Sequence, residues 1–394
     1  MTAMPVVDRE QSLRASVHRQ LVAADGAEGL IGAPADEVAL RIEQLLAVED
    51  PLLALDSRRR LVTDLMHDVM GLGALEPLLA DPTIDEIMIN GGGRCFVERA
   101  GVLQAVESTI DDDGIVRLVD RILAPLGLRL DRSSPMVEAR LADGSRLHAV
   151  IPPLAIDGPC VTIRRFGTRR LGIEAFAVDP AAARFIRDLI RSGVNVVISG
   201  GTGSGKTTLL NALAGFVDPA ERVVTIEETA ELSLDRTHVV RLEARPANAE
   251  GSGAVTVREL VRAALRMRPD RLVVGEVRGA EALDLLQALN TGHEGSLSTV
   301  HANSPVDALR RLSTLALFGN VGLPHPAICE QLRAAVDIVV QVGRTARGTR
   351  EITSVVEVVE DIDKFAIRPL LERSEGRLDI CGTPQRAARR GVAA

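Results

Sequence analysis

The octapeptide Gly200-Gly201-Thr202-Gly203-Ser204-Gly205-Lys206-Thr207 constrains this chain more than any other stretch, because it fits the phosphate-loop pattern GxxxxGK[ST] without a gap. Its glycines let the backbone curl until successive N–H groups point into one concavity, and a following helix turns its positive end to the same place. The apolar run Val194 to Ser199 precedes it, and a helical pattern starts at Lys206. Gly200 through Thr208 would form the cradle, Lys206 would reach the β and γ phosphates, and the Thr207 hydroxyl would ligate Mg²⁺. Of 46 basic residues only Lys206 and Lys364 are lysines. A chain that otherwise uses arginine has placed a compact charge on a thin stem where a wide planar fork would not fit. A plain Gly-rich surface loop is the alternative, and the strand before it and the helix after it argue against that.

Around this loop apolar strands alternate with helices. Val194 to Ser199, Arg222 to Ile226, Leu272 to Gly275, Leu297 to Val300 and Ile338 to Val342 read as strands, with helices from Lys206, Val257, Ala280 and Pro305. Thr256 with Glu259 has the capping-box pattern, and Ser304-Pro305 is a cap followed by proline at the first helical position. The alternation predicts an α/β domain with a mainly parallel sheet over residues 169–372. Upstream, residues 56–168 read as a smaller α+β domain. Ile84 to Asn90 is a strand, Cys95 to Arg99 and Val102 onwards form a hairpin around Ala100-Gly101, and Ile115 to Leu123 has helical spacing. Val137 to Leu141 and Arg146 to Ile151 flank the turn Asp143-Gly144, and Cys160 to Phe166 is a last strand. Residues 1–55, with the stripe Leu40, Ile42, Leu45 and Leu46, predict a variable, partly disordered helical arm. A short link near Gly167 to Gly172 joins the two domains, and residues 373–394, with Arg386, Arg389 and Arg390, predict a flexible tail.

Composition narrows the function classes. Aromatic residues make up 2%, with no Trp and no Tyr, so a stacking platform for single-stranded nucleic acid is disfavoured. The net charge of -8 and the lack of a basic block give no broad nucleic-acid footprint. Cys95, Cys160, Cys329 and Cys381 form no CxxC pair, which argues against a zinc module and fits a reducing compartment. The N-terminus has no apolar signal region, and no apolar stretch approaches the roughly 20 residues needed to span a bilayer. A cytoplasmic chain that meets a membrane only through a partner is expected.

Further residues carry chemistry. Leu272-Val273-Val274-Gly275-Glu276 is an apolar strand ending in a carboxylate, which can hold Mg²⁺ or polarise the attacking water. A strand-end surface charge is the plainer reading. Glu227 and Glu228 end another apolar strand, with Glu231 shortly after; they suit a cation or a water network, or a solvated loop. His293 and His301 bracket the strand Ser296 to Val300 and read as a metal pair, as γ-phosphate sensors or as structural histidines. Arg140, Arg146, Arg164 and Arg165 cluster before the link, either as ordinary surface charge of an Arg-rich chain or as an arginine finger.

These segments together resemble the ATPase superfamily of type II and type IV secretion and type IV pilus systems, most closely the TadA/CpaF-like ATPases of Tad (Flp) pilus assembly. The resemblance runs from about Gly71 to Val359. Its segments are Gly71 to Leu78, Asp143 to Pro153, the phosphate loop, Thr225 to Leu232 (similar to the family's Asp box), Arg266 to Gly279, and Thr291 to Asn303 (similar to its His box). The resemblance implies a RecA-like P-loop NTPase domain with a mainly parallel sheet, behind a smaller α+β domain and a helical arm. It implies a cytoplasmic ring hexamer in which ATP hydrolysis moves the domains and drives an inner-membrane platform protein. It also implies that Glu276 and the Glu227/Glu228 pair are the water and Mg²⁺ acids, and that His301 and His293 face the γ-phosphate. Arg146, with Arg164 or Arg165, would supply arginine contacts. The tetracysteine module of some relatives is missing, and Glu228 stands where the family often has Asp. The competing classes are a nucleic-acid translocating or packaging motor, disfavoured by charge and aromatic content, and a regulatory protein that holds nucleotide without turnover. A GTPase is disfavoured because neither lysine lies in an NKxD motif.

Overall fold

Apolar residues on both faces of successive strands dictate the architecture of the C-terminal part of the chain. The computed structural model describes residues 6–31, 34–70, 75–99, 102–106, 110–141, 143–165, 171–248, 250–319, 322–345, 348–359 and 365–386. Two compact units divide between Phe166 and Gly167. Most of the expected link, the Ala100-Gly101 turn, and Arg389 and Arg390 lie outside the described residues.

In the first unit three helices, α1 (Val6–Ile31), α2 (Ala35–Glu49) and α3 (Leu55–Met70), build a core of their own. Val17 and Leu21 meet Ile42, Leu46 and Leu65, all buried. The arm predicted to end at residue 55 therefore continues through α3, because the leucines of α3 complete the apolar seam of α1 and α2. After α4 (Glu76–Ala80) come β1 (Glu86–Asn90), β2 (Arg94–Arg99), β3 (Val102–Val106), α5 (Asp112–Leu123), β4 (Met136–Arg140), β5 (Arg146–Val150) and β6 (Cys160–Arg164). The strands form one sheet in the order β3-β2-β1-β6-β5-β4 with antiparallel neighbours. Alternate residues Ile87, Ile89, Val97, Leu147, Ala149, Val161 and Ile163 are buried with the apolar stripe of α5, Ile115, Leu118, Val119 and Leu123. The Asp111 side chain caps α5.

The second unit begins with α6 (Pro180–Arg191), capped by Asp179. Next come β7 (Val196–Gly200), α7 (Lys206–Ala214), β8 (Val223–Glu227), β9 (Val239–Glu243), α8 (Val257–Ala264), β10 (Arg271–Val274), α9 (Glu281–Asn290) and β11 (Leu297–His301). Then follow α10 (Pro305–Leu317), α11 (His325–Ala335), β12 (Ile338–Arg344), β13 (Arg350–Val359), β14 (Ala366–Ser374) and β15 (Arg377–Ile380). The sheet order is β15-β14-β13-β12-β7-β11-β10-β8-β9, parallel from β12 to β9 and antiparallel from β12 to β15. Val196 and Ile198 join the core with α6 and α7 on one face, while Val197 points into the other core with α8 to α11. Burial on both faces is why these strands read as continuous apolar runs. The predicted capping box at Thr256 and cap at Ser304 are both formed.

The tail predicted flexible from residue 373 is a correction. β14 and β15 extend the sheet to Ile380, and the backbone N–H groups of Gln385 and Arg386 donate to Glu357 Oε1 at 2.7 and 2.6 Å. Glu357 is fully buried and also holds Arg368, so the segment is anchored by a carboxylate that needs its donors.

Candidate nucleotide site

The C-terminal ends of parallel strands collect the loops of an open α/β sheet. β7 ends at Gly200, paired in register with His301 at the end of β11, and β10 lies on the far side of β11. The phosphate-loop strand and the Glu276 strand are thus separated by one strand, and Gly200, His301 and Glu276 leave the sheet at the same edge.

The loop itself is closed by glycine and lysine. Gly203 and Gly205 have φ of 68° and 93°, in the left-handed region where a side chain would be strained. Gly205 stands at the N-cap of α7, and a Cβ there would come within 2.7 Å of Arg350 Cδ. Arg350 Nη1 donates to Thr208 Oγ1 at 3.3 Å, binding β13 to the start of α7. Lys206 is buried and its Nζ donates to the carbonyls of Gly200 and Gly201 at 3.2 and 3.0 Å. Burial lowers the Lys206 pKa, the nearby Glu276 charge raises it and Arg278 lowers it further, so all three groups share one electrostatic neighbourhood.

The three carboxylates of this edge differ. Glu276 accepts from Arg278 Nη2 at 2.8 Å, and Glu228 accepts from Arg278 Nη1 at 2.9 Å. Glu227 is only 3% exposed. Its Oε1 accepts the N–H groups of Glu231 and Leu232, both at 2.9 Å, while its Oε2 is buried without a hydrogen-bond partner among the described residues. A Cβ on Gly275 would lie 2.9 Å from Glu227 Cγ, so the glycine before Glu276 makes room for this carboxyl. Burial pushes its pKa up to about 7 against the pull of the two backbone donors.

The histidines part company. His301 is exposed at the phosphate-loop edge. His293 precedes Leu297, which pairs with Val196 at the opposite end of β7. At about 3.3 Å per residue, the length of β11 separates His293 from the loop within one chain. The expectation that both face one γ-phosphate is corrected for His293, because α9 returns the chain to the other edge before β11 begins.

The predicted arginines lie in the first unit. Arg140, Arg146 and Arg164 occupy one cross-strand row of β4, β5 and β6, followed by Glu86 of β1. Arg146 Nη2 donates to Glu138 Oε2 at 2.7 Å. Arg165 is turned elsewhere, donating to the carbonyl of Asp81. Arg278 and Arg350 were not singled out in the sequence. Arg278 sits two residues past a recognised carboxylate, whereas nothing local marks Arg350, which a later hairpin brings to α7.

Oxygen donors suit Mg²⁺, which takes one or two carboxylates together with substrate phosphates. Thr207 and Glu276 fit that donor set. Among the described residues no group of three or more His, Cys, Asp or Glu could hold a metal by itself.

Fold and loop together define a RecA-like P-loop domain that follows a smaller α+β unit in the sequence. A family profile described as type II/IV secretion system protein matches residues 68–366. The chain belongs to that family. A Mycobacterium tuberculosis (strain H37Rv) protein named for conjugal transfer is 43% identical over 302 residues, covering 74% of this chain and 85% of its own. The conjugal transfer protein TrbB of Rhizobium radiobacter is 36% identical, covering 69% and 83%. The type IV secretion system protein PtlH of Bordetella pertussis is 35% identical, covering 70% and 90%. The Legionella pneumophila ATPase DotB shares the fold, with a TM-score of 0.52 at 22% identity over 71% of this chain and 78% of its own. Among the described residues no helix is long and apolar enough to cross a membrane.

Proposed function

We propose that this chain is an ATPase whose hydrolysis powers a type II/IV secretion or Tad-type pilus machine. The observation that carries the reading is the convergence of the Lys206 loop, Glu276 and His301 on one sheet edge, with Lys206 responding to the Glu276 charge. Gly200 to Thr208 cradle the phosphates, and Lys206 neutralises charge on the β and γ groups. Thr207 and Glu276 would hold Mg²⁺, which would supply charge screening of the triphosphate. Glu276 orients the attacking water. Of the adjacent glutamates, Glu228 presents an exposed carboxylate to that edge, while Glu227 holds the 231–232 backbone. His301 takes the γ-phosphate contact.

Arg146 and Arg164 supply arginine contacts to the nucleotide. Support comes from the family resemblance, and from the cross-strand row that sets the two side by side on β5 and β6. The subunits assemble as a ring, a hexamer by family resemblance, at the cytoplasmic face of a membrane platform protein. The names of the relatives support secretion and conjugal transfer; the Tad assignment rests on the sequence motifs.

Phosphate release by the full chain tests the reading. Lys206→Ala abolishes nucleotide binding or turnover, and Glu276→Gln retains ATP while losing at least about a hundredfold in rate. Wild-type binding without any release, even at high protein concentration, would instead mark a regulatory nucleotide holder. DNA-stimulated hydrolysis with strand separation would mark a nucleic-acid motor.

A further inference from the structure

Arg278 stands two residues beyond Glu276, and its backbone is held independently of its side chain. The N–H groups of Arg278 and Gly279 donate to Glu281 Oε1 at 2.6 and 2.7 Å, and Glu281 is buried at the start of α9. Val277 N donates to Thr299 O at 2.9 Å, which fastens the same loop to β11. The loop is therefore rigid where it leaves β10. The guanidinium, in contrast, is largely exposed and places one nitrogen on each of two carboxylates, Glu228 after β8 and Glu276 after β10. This is the position between paired oxygens that a divalent cation favours.

We propose that Arg278 is the built-in cation of the Glu228–Glu276 pair, competing with a divalent ion for those carboxylates and helping to hold the triphosphate before that ion arrives. The proposal rests on the ATP-site reading above. Its physical content is a charge balance. With the guanidinium in place, the two carboxylates present a net charge of about -1 to an incoming polyanion; without it, about -2. A planar fork spans two carboxylates that a single ammonium would not bridge, and an exposed pair is weak enough to be exchanged. Because its backbone is anchored by Glu281, the side chain can leave the carboxylates without unfolding the loop.

Removing the charge therefore moves two affinities in opposite directions. In EDTA, Arg278→Gln binds a fluorescent N-methylanthraniloyl ATP about three- to tenfold more weakly than wild type, since bare carboxylates repel the triphosphate. With nucleotide present, the same variant binds Mn²⁺, followed by electron paramagnetic resonance, about three- to tenfold more tightly. Arg278→Lys keeps the charge and restores most of the metal-free nucleotide affinity. A purely structural arginine would weaken both affinities together, and that result, or the absence of either shift, would overturn the proposal. Lys206→Ala runs alongside. If it binds the fluorescent ATP as wild type does, the nucleotide-site reading fails. If it loses binding while Arg278→Gln leaves both affinities unchanged, only the role of Arg278 fails.

Discussion

Glu227 shows how one buried carboxyl is set by its neighbours. The side chain lies against Gly275, and one oxygen accepts from two backbone N–H groups while the other has no partner among the described residues. Burial outweighs those donors, and the group titrates at about 7 rather than at 4.5. The folded chain holds this proton more tightly than the unfolded chain. Stability therefore falls as pH rises from 4.5 to about 7 and is level above that. Glutamine keeps the acceptor oxygen and removes the titration. Glu227→Gln is expected to be more stable than wild type by about 2 kcal/mol at pH 8 and close to it at pH 5. Urea unfolding at the two pH values checks this; a difference that does not change with pH would mean that Glu227 is not the proton-holding group.

At the scale of elements, the C-terminal segment is a strap. Arg386 Nη1 donates to the carbonyls of Arg333 and Val336 at the end of α11, at 2.6 and 3.1 Å, and approaches Asp337 Oδ1 at 3.5 Å. Asp337 in turn accepts the N–H of Asn195 at 2.9 Å, at the foot of the phosphate-loop strand. A cation at the C-terminal end of a helix also meets its dipole favourably. Arg386→Ala leaves buried acceptors without their donor and is expected to cost about 2–3 kcal/mol. A thermal melt should show a clear fall in Tm. An unchanged Tm would return this segment to the status of a loose tail.

For the whole molecule, the first unit carries the arginine row and the second carries the phosphate loop. If Arg146 acts on a neighbouring subunit's nucleotide, Arg146→Ala alone lowers hydrolysis by at least about tenfold while sparing most ATP affinity. Mixing it with inactive Lys206→Ala chains should recover activity, because one mixed interface then combines an intact arginine with an intact loop. Phosphate release across mixing ratios reads this directly, and a strictly additive loss would place the arginine in cis.

The sequence alone determined what is local or periodic. The phosphate loop, the strands through Leu272 and Leu297, and the caps at Thr256 and Ser304 depend on neighbours within a few residues, so their patterns survive in one dimension. It also carried the family, because several motifs stand in order. Tertiary structure decided what depends on distant partners. β13, β14 and β15 become a sheet by pairing in succession outward from β12, and the strap at Arg386 is held by Glu357, 28 and 29 residues before its two N–H donors, and by the end of α11. Glu227 and Glu228 are chemically alike and adjacent, yet the alternation of a strand end buries one and exposes the other. His293 and His301 bracket one strand, and the strand's length sends them to opposite edges. Spacing along the chain names candidate residues; the sheet's order and direction decide which of them share a site.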